Sequence, residues 1–179
     1  MASKIKVDTL ETANGSGTIA LSNQLSGMTT ASLPALTGAQ MPAGSVIQTV
    51  RAEGSTATTT TSSTFANTNA SVTITPLFSS SDIYLSHTAG GLQNNTADMG
   101  LRITRAISGG ATTNIYTSTR YGYSDGPYYH PINWGVIDVD TSHNTTNALT
   151  FKIQINVQSG EARHCDNSTW NFVAMEIKR

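Results

Sequence analysis

The clearest pattern in the chain is the alternation Leu149-Thr150-Phe151-Lys152-Ile153-Gln154-Ile155-Asn156-Val157. Every second side chain is apolar, the period of a strand with one face on a core and the other in water. The apolar set Leu149, Phe151, Ile153, Ile155 and Val157 is predicted to face inward. Shorter stretches of strand character recur over residues 46–50, 72–75, 82–87, 101–107, 113–120, 134–140 and 170–178. They are separated by turn formers, among them Pro76 and Ser108-Gly109-Gly110. No apolar stripe recurs at the helical period. About eight strands with turn-rich connections predict an all-β fold, an antiparallel, jelly-roll-like β-sandwich over residues 45–179. Within it, residues 58–69 read as a Thr/Ser/Asn loop around Phe65. The strand at 101–107 places its apolar residues on one face and Arg102 and Arg105 near the other. The alternation at 136–140 puts Asp138 and Asp140 in solvent.

Residues 1–44 follow a different rule. Val7-Asp8-Thr9-Leu10-Glu11-Thr12 alternates, Ala13-Asn14-Gly15-Ser16-Gly17 has the composition of a turn, and Thr18-Ile19-Ala20-Leu21-Ser22 alternates again. A lone two-stranded hairpin is marginal in water, and this one has few large apolar residues to bury. It is therefore expected to fold against copies of itself or a larger assembly, with Ile5, Val7, Leu10, Ile19 and Leu21 as the docking residues. Residues 24–44 form a spacer that Pro34 and Pro42 keep from being helical. It is either a flexible linker or a segment packed on sister chains. Leu25, Met28, Leu33, Leu36 and Met41 favour packing, because pure linkers seldom carry so many apolar residues. The expected division is an arm and spacer at 1–44 and a β-sandwich tip at 45–179.

Charge narrows the function. Charged residues make up 12% of the 179 and the net charge is −1, so hydroxyl and amide groups must do the hydrating. The Lys and Arg residues are scattered, which argues against nucleic-acid binding. No apolar run approaches the roughly 20 residues of a membrane helix, so no membrane insertion is expected. The opening Met-Ala-Ser-Lys-Ile-Lys lacks an apolar signal core, which implies synthesis in a cytosol. Cys165 is the single cysteine and can form no intrachain disulfide. A charge-poor all-β head leaves its edge strands open to pairing, which symmetric trimerisation would partly cover.

Candidate chemistry concentrates in residues 121–134, which read as a single loop and hold four of the six tyrosines with one of the two tryptophans. Tyr121, Tyr123, Tyr128, Tyr129, His130 and Trp134 offer stiff contact area with polar tips, suited to recognising a protein or stacking on a glycan. The same rings would equally serve packing on the sandwich or on a neighbouring subunit, and the sequence leaves both open. Asp138, Asp140, Thr141, His143 and Asn144 offer oxygen and nitrogen ligands, but too few carboxylates for calcium. His87, His130, His143 and His164 are isolated in sequence, so no metal site is expected. His164 and Cys165 are adjacent and should point apart, which defeats a Cys–His couple. No nucleophile elbow, phosphate loop or zinc-protease helix is present, and the chain reads as neither an enzyme nor a cofactor carrier.

The run Ser3-Lys4-Ile5-Lys6-Val7-Asp8-Thr9-Leu10-Glu11-Thr12-Ala13-Asn14-Gly15-Ser16-Gly17, continuing to Asn23, resembles the N-terminus of small fibre and appendage proteins of tailed phages, marine and cyanobacterial ones especially. Pro42-Ala43-Gly44-Ser45-Val46-Ile47-Gln48 is similar to the joint before their β-rich tips, and Phe172-Val173-Ala174-Met175-Glu176-Ile177 to their last strand. The resemblance implies a non-enzymatic structural protein of a virion, made in the host cytoplasm, with a homotrimer as its form. It implies an arm that docks to other virion proteins and a tip that meets a host surface glycan or protein, as in a tail fibre. A head fibre or capsid decoration protein shares this design, its arm docking on capsomers instead. A lectin-like carbohydrate-binding protein is a further alternative, against which the arm argues.

Overall fold

The computed structural model describes residues 37–94, 97–124 and 130–179. A 3-10 turn, Gly38–Gln40, precedes ten strands: β1 (Val46–Gly54), β2 (Thr58–Thr60), β3 (Ala66–Ile74), β4 (Asp82–Asn94), β5 (Ala97–Ile107), β6 (Thr112–Ser124), β7 (His130–Asp140), β8 (Leu149–Val157), β9 (Glu161–His164) and β10 (Trp170–Ile177). Every pairing is antiparallel. Eight strands form two layers, in the orders β1-β10-β4-β7 and β3-β8-β5-β6. This is the jelly-roll arrangement of two interleaved Greek keys, the fold class the alternation predicts. The short β9 continues the line of β10 along β4, pairing Gly91 to Asn94 where β10 pairs Asp82 to Ala89, and β2 flanks β9.

The core lies between the layers. Leu149, Phe151, Ile153, Ile155 and Val157 of β8 are all fully buried and share one cluster with Ile83 and Leu85 of β4 and Phe172 and Ala174 of β10. Between them Lys152 is exposed and Gln154 donates from Nε2 to Asn67 Oδ1 of β3 at 3.0 Å. We therefore expect Ile153→Ala to cost about 2–5 kcal/mol in chemical denaturation, as a core truncation does, and Gln154→Ala much less. Equal costs would mean a strand buried on both faces, contrary to the sandwich. One glycine is dictated by packing: a Cβ on Gly54 would lie 2.8 Å from the Trp170 indole, so the ring closes over bare backbone.

The structure departs from the sequence expectations in four places. Residues 58–69 are not a single loop but contain β2 and the first half of β3. Residues 121–134 are not one loop either, since β6 runs to Ser124 and β7 starts at His130. Arg105 turns inward, because it shares its parity with Leu101 and Ile103 and pairs with buried Phe151 of β8. Asp140 is likewise buried while Ile137 and Val139 are exposed. The strand keeps its alternation but with the opposite face inward, because Arg105 reaches across from the other sheet to neutralise the carboxylate.

The connections gather at two poles. Residues 37–45, the β3–β4 link, the β5–β6 turn, the β7–β8 link and the C-terminus lie at the near pole. There Gly44 N donates to Lys178 O, Lys178 Nζ to the carbonyls of Ala39 and Met41, Ser108 N to Ala148 O, and His143 Nε2 to Ser81 O. The ends of β4, β6, β8 and the starts of β5, β7, β9 lie at the far pole. There Gln93 pairs with His130, Asp98 with Tyr123 and Asn94 with Glu161. Spanning the two, the 13 residues of β4 cover on the order of 40 Å.

Candidate functional site

Four of the six sequence-predicted recognition residues lie on strand segments at the far pole. The backbone sets Tyr121 and Tyr123 on the end of β6, and His130 and Trp134 on the start of β7, with Trp134 opposite Ala89 of β4. Tyr128 and Tyr129 lie between these strands, outside the described residues, as do Ile5, Val7, Leu10, Ile19 and Leu21 of the arm. The link from β6 to β7 joins one sheet to the other at this pole. Two hydrogen bonds brace the surrounding loops: Val157 N donates to Ser62 O and Gln158 N to Asp98 O, at 2.9 and 3.1 Å. This is a rigid frame presenting a short connection, the setting in which binding residues are commonly found.

The chemistry-bearing groups elsewhere are built into the fold. His87 and His164 are 77 residues apart in sequence, yet their Nε2 atoms lie 2.9 Å apart and their rings stack at 5.1 Å. One Nε2–H must donate to the other Nε2, so the two rings are not both protonated as built. Burial, and then the proximity of His164, lowers the His87 pKa from 6.5 to about 3; burial lowers that of His164 to about 4. Sequence separation hid this pair. The available signal was phase: His87 shares the inward parity of Ile83 and Leu85, and His164 that of Ala162.

At the near pole Glu176 is fully buried. Its carboxylate accepts from Leu77 N, Phe78 N, Ser81 Oγ and Gln48 Nε2 at 2.7–3.0 Å. Burial pushes its pKa up, but the hydrogen bonds together outweigh it and hold the carboxyl below its ordinary value. Ser81 and His143 adjoin it, which gives the residue types of a hydrolytic triad without the geometry. The Ser81 hydroxyl lies 2.7 Å from Glu176 and 3.4 Å from His143 Nε2, whose N–H donates instead to the Ser81 carbonyl at 2.8 Å. The histidine is thus not set to take the hydroxyl proton, which points at the carboxylate instead. The group ties the β3–β4 and β7–β8 links to β10. Cys165 is buried and its thiol donates to Ser168 O at 3.0 Å.

Among the described residues no three His, Cys, Asp or Glu side chains are placed to hold a metal ion, and no helix is long and apolar enough to cross a membrane. No family model and no curated protein matches the chain. Among solved structures it is similar to that of the infectious bursal disease virus Gx strain, at 14% identity and a TM-score of 0.41 over 75% of this chain and 33% of that one. It is also similar to a mutant VP2 protein of that virus in derived T=1 particles, at 12% identity and a TM-score of 0.38 over 75% of this chain and 37% of that one. The chain thus spans about a third of the length of the structures it matches. At these scores the likeness adds nothing to the layout established by the strand pairing.

Proposed function

We propose that the protein is a non-enzymatic structural component of a tailed-phage virion, a trimeric appendage of tail-fibre type. Its N-terminal arm docks to other virion proteins, and its jelly-roll tip meets the host surface. The observation that carries this reading is the polarity of the sandwich. Residues 37–45 enter the sandwich at one pole, and at the other β6 ends with Tyr121 and Tyr123 and β7 begins with His130 and Trp134. A tip held this way turns its recognition residues away from its point of attachment. The phage-fibre resemblance of residues 3–23 supports the same assignment.

Particles carrying Tyr128→Ser and Tyr129→Ser are expected to adsorb to host cells at least tenfold more slowly, with the protein folded and assembled. Normal adsorption by such particles would remove the receptor-binding role from this pole. Loss of assembly before loss of adsorption would make the segment a subunit contact instead. Electron microscopy of particles labelled with antibody to residues 45–179 places the appendage: label on the tail is expected, and label on the capsid would make it a head fibre or decoration protein.

A further inference from the structure

We propose that the outer face of the β1-β10-β4-β7 sheet is the surface each copy of this chain turns toward the three-fold axis of the trimer, where it meets both neighbouring copies. The inference rests on the self-association in the proposed function and assigns it a surface. Outward positions of a solvated sheet are normally polar. Here the register sets Val173 and Ile137 on either side of Ser86, and Met175 and Val139 on either side of Tyr84. Ile177 extends the patch beside Val46. Ile137 is 64% exposed and Val139 41%, on β7, which among the described residues pairs with β4 alone. The result is a cluster of exposed apolar residues on β7 and half-buried ones on β10 with Ser86 and Tyr84 of β4 between them, denser than the scattered single residues of an ordinary surface.

Its charges sit at the border and cancel. Arg51 pairs with Glu53 at one corner and Arg179 with Asp82 at another, and the centre carries none. An uncharged apolar centre inside a charged rim is the anatomy of a protein interface. The balance of two cations against two anions gives no preference for a polyanion or a strongly charged partner. A second copy brings the same neutral surface. The face is also broad and flat. Four strands about 4.8 Å apart and eight residues long at roughly 3.4 Å give a footprint on the order of 500 Å². That is more than half of the roughly 800 Å² each partner gives to a stable interface, before side-chain relief is counted. A single peptide or sugar chain would cover only a strip of it. Beside Ile137, a hollow of about 320 Å³ opens over Gly135, Ser86 and Thr88. A protruding side chain next to a hollow is the relief that another copy can fill.

Light scattering on the full chain at micromolar concentration tests this, with Ile137→Glu and Ser86→Arg as separate variants and Lys152→Glu, exposed on the other sheet, as control. The wild type and the control are expected at about three times 18.9 kDa. Both face variants are expected at the monomer mass, a threefold fall, with an unchanged far-UV spectrum and melt. Ser86→Arg carries the test where Ile137→Glu fails to fold. Face variants that fold and keep the wild-type mass would overturn the assigned surface and leave self-association standing. A wild-type monomer would overturn self-association and the surface with it.

Discussion

Asp140→Ala is expected to destabilise the tip by about 3–5 kcal/mol, the usual cost of orphaning one member of a buried ion pair. A domain of this size is stable by only about 5–15 kcal/mol, so the loss should show as a large fall in the urea midpoint. Arg105 comes from β5 in one sheet and Asp140 from the end of β7 in the other, with side-chain exposures of 7% and 1%. Arg105 Nη1 lies 2.7 Å from both carboxylate oxygens, and Oδ1 also accepts from Ser142 N and Oγ. Alanine would remove the anion and leave a guanidinium in the sandwich without a counter-charge. The double variant Arg105→Met with Asp140→Leu removes both charges and should recover most of the loss. The exposed pair Arg51–Glu53 serves as comparison and should contribute at most about 1 kcal/mol. A small loss for Asp140→Ala would mean that water reaches the pair.

Acid should destabilise the tip steeply through His87 and His164. Both folded-state pKa values lie below the ordinary 6.5, at about 3 and about 4. Above pH 6.5 neither state binds the protons, and the pair makes no pH-dependent contribution. Between about 6.5 and 4 the unfolded chain takes up two protons that the folded pair refuses, so stability falls as pH falls. The slope at its steepest is roughly 3 kcal/mol per pH unit, two protons at about 1.4 each. Below the folded values both states are protonated and the effect levels off. Glu176 adds to the same trend at lower pH. Its folded pKa is depressed, so its stabilisation is present above the unfolded value and is lost as pH falls through the folded one. Denaturant titrations at pH 8, 6 and 5 measure the slope, and His87→Gln should roughly halve it. A flat profile between pH 7 and 5 would show that the pair does not stay neutral in the fold.

Much of the sandwich was legible because a strand writes its environment at a period of two. β8 carries five apolar residues in phase, and the structure buries all five. The boundaries were less legible where Thr, Ser and Asn dominate. β2 and the start of β3 carry little apolar signal, and their pairing is fixed by β9 and β8 from outside the segment. The polar core was the least legible part. Arg105, Asp140, His87, His164 and Glu176 all stand at inward positions, and hydropathy alone assigns such residues to water. What brings them inside is a partner on another strand, 35 residues away for Arg105 and 77 for His87. At the candidate site the aromatic composition was visible, but its division between β6 and β7 depended on pairing with β5 and β4.

The run of β4 from one pole to the other has a mechanical consequence. Pulling between the two poles would act along the strands, while the hydrogen bonds of an antiparallel ladder lie across them. β4 is held on one flank by β7 and on the other by β10 and β9 in succession. Such a load stresses many bonds of a ladder together in shear instead of peeling them one at a time, so a pull from pole to pole would be resisted across the whole width of the sheet.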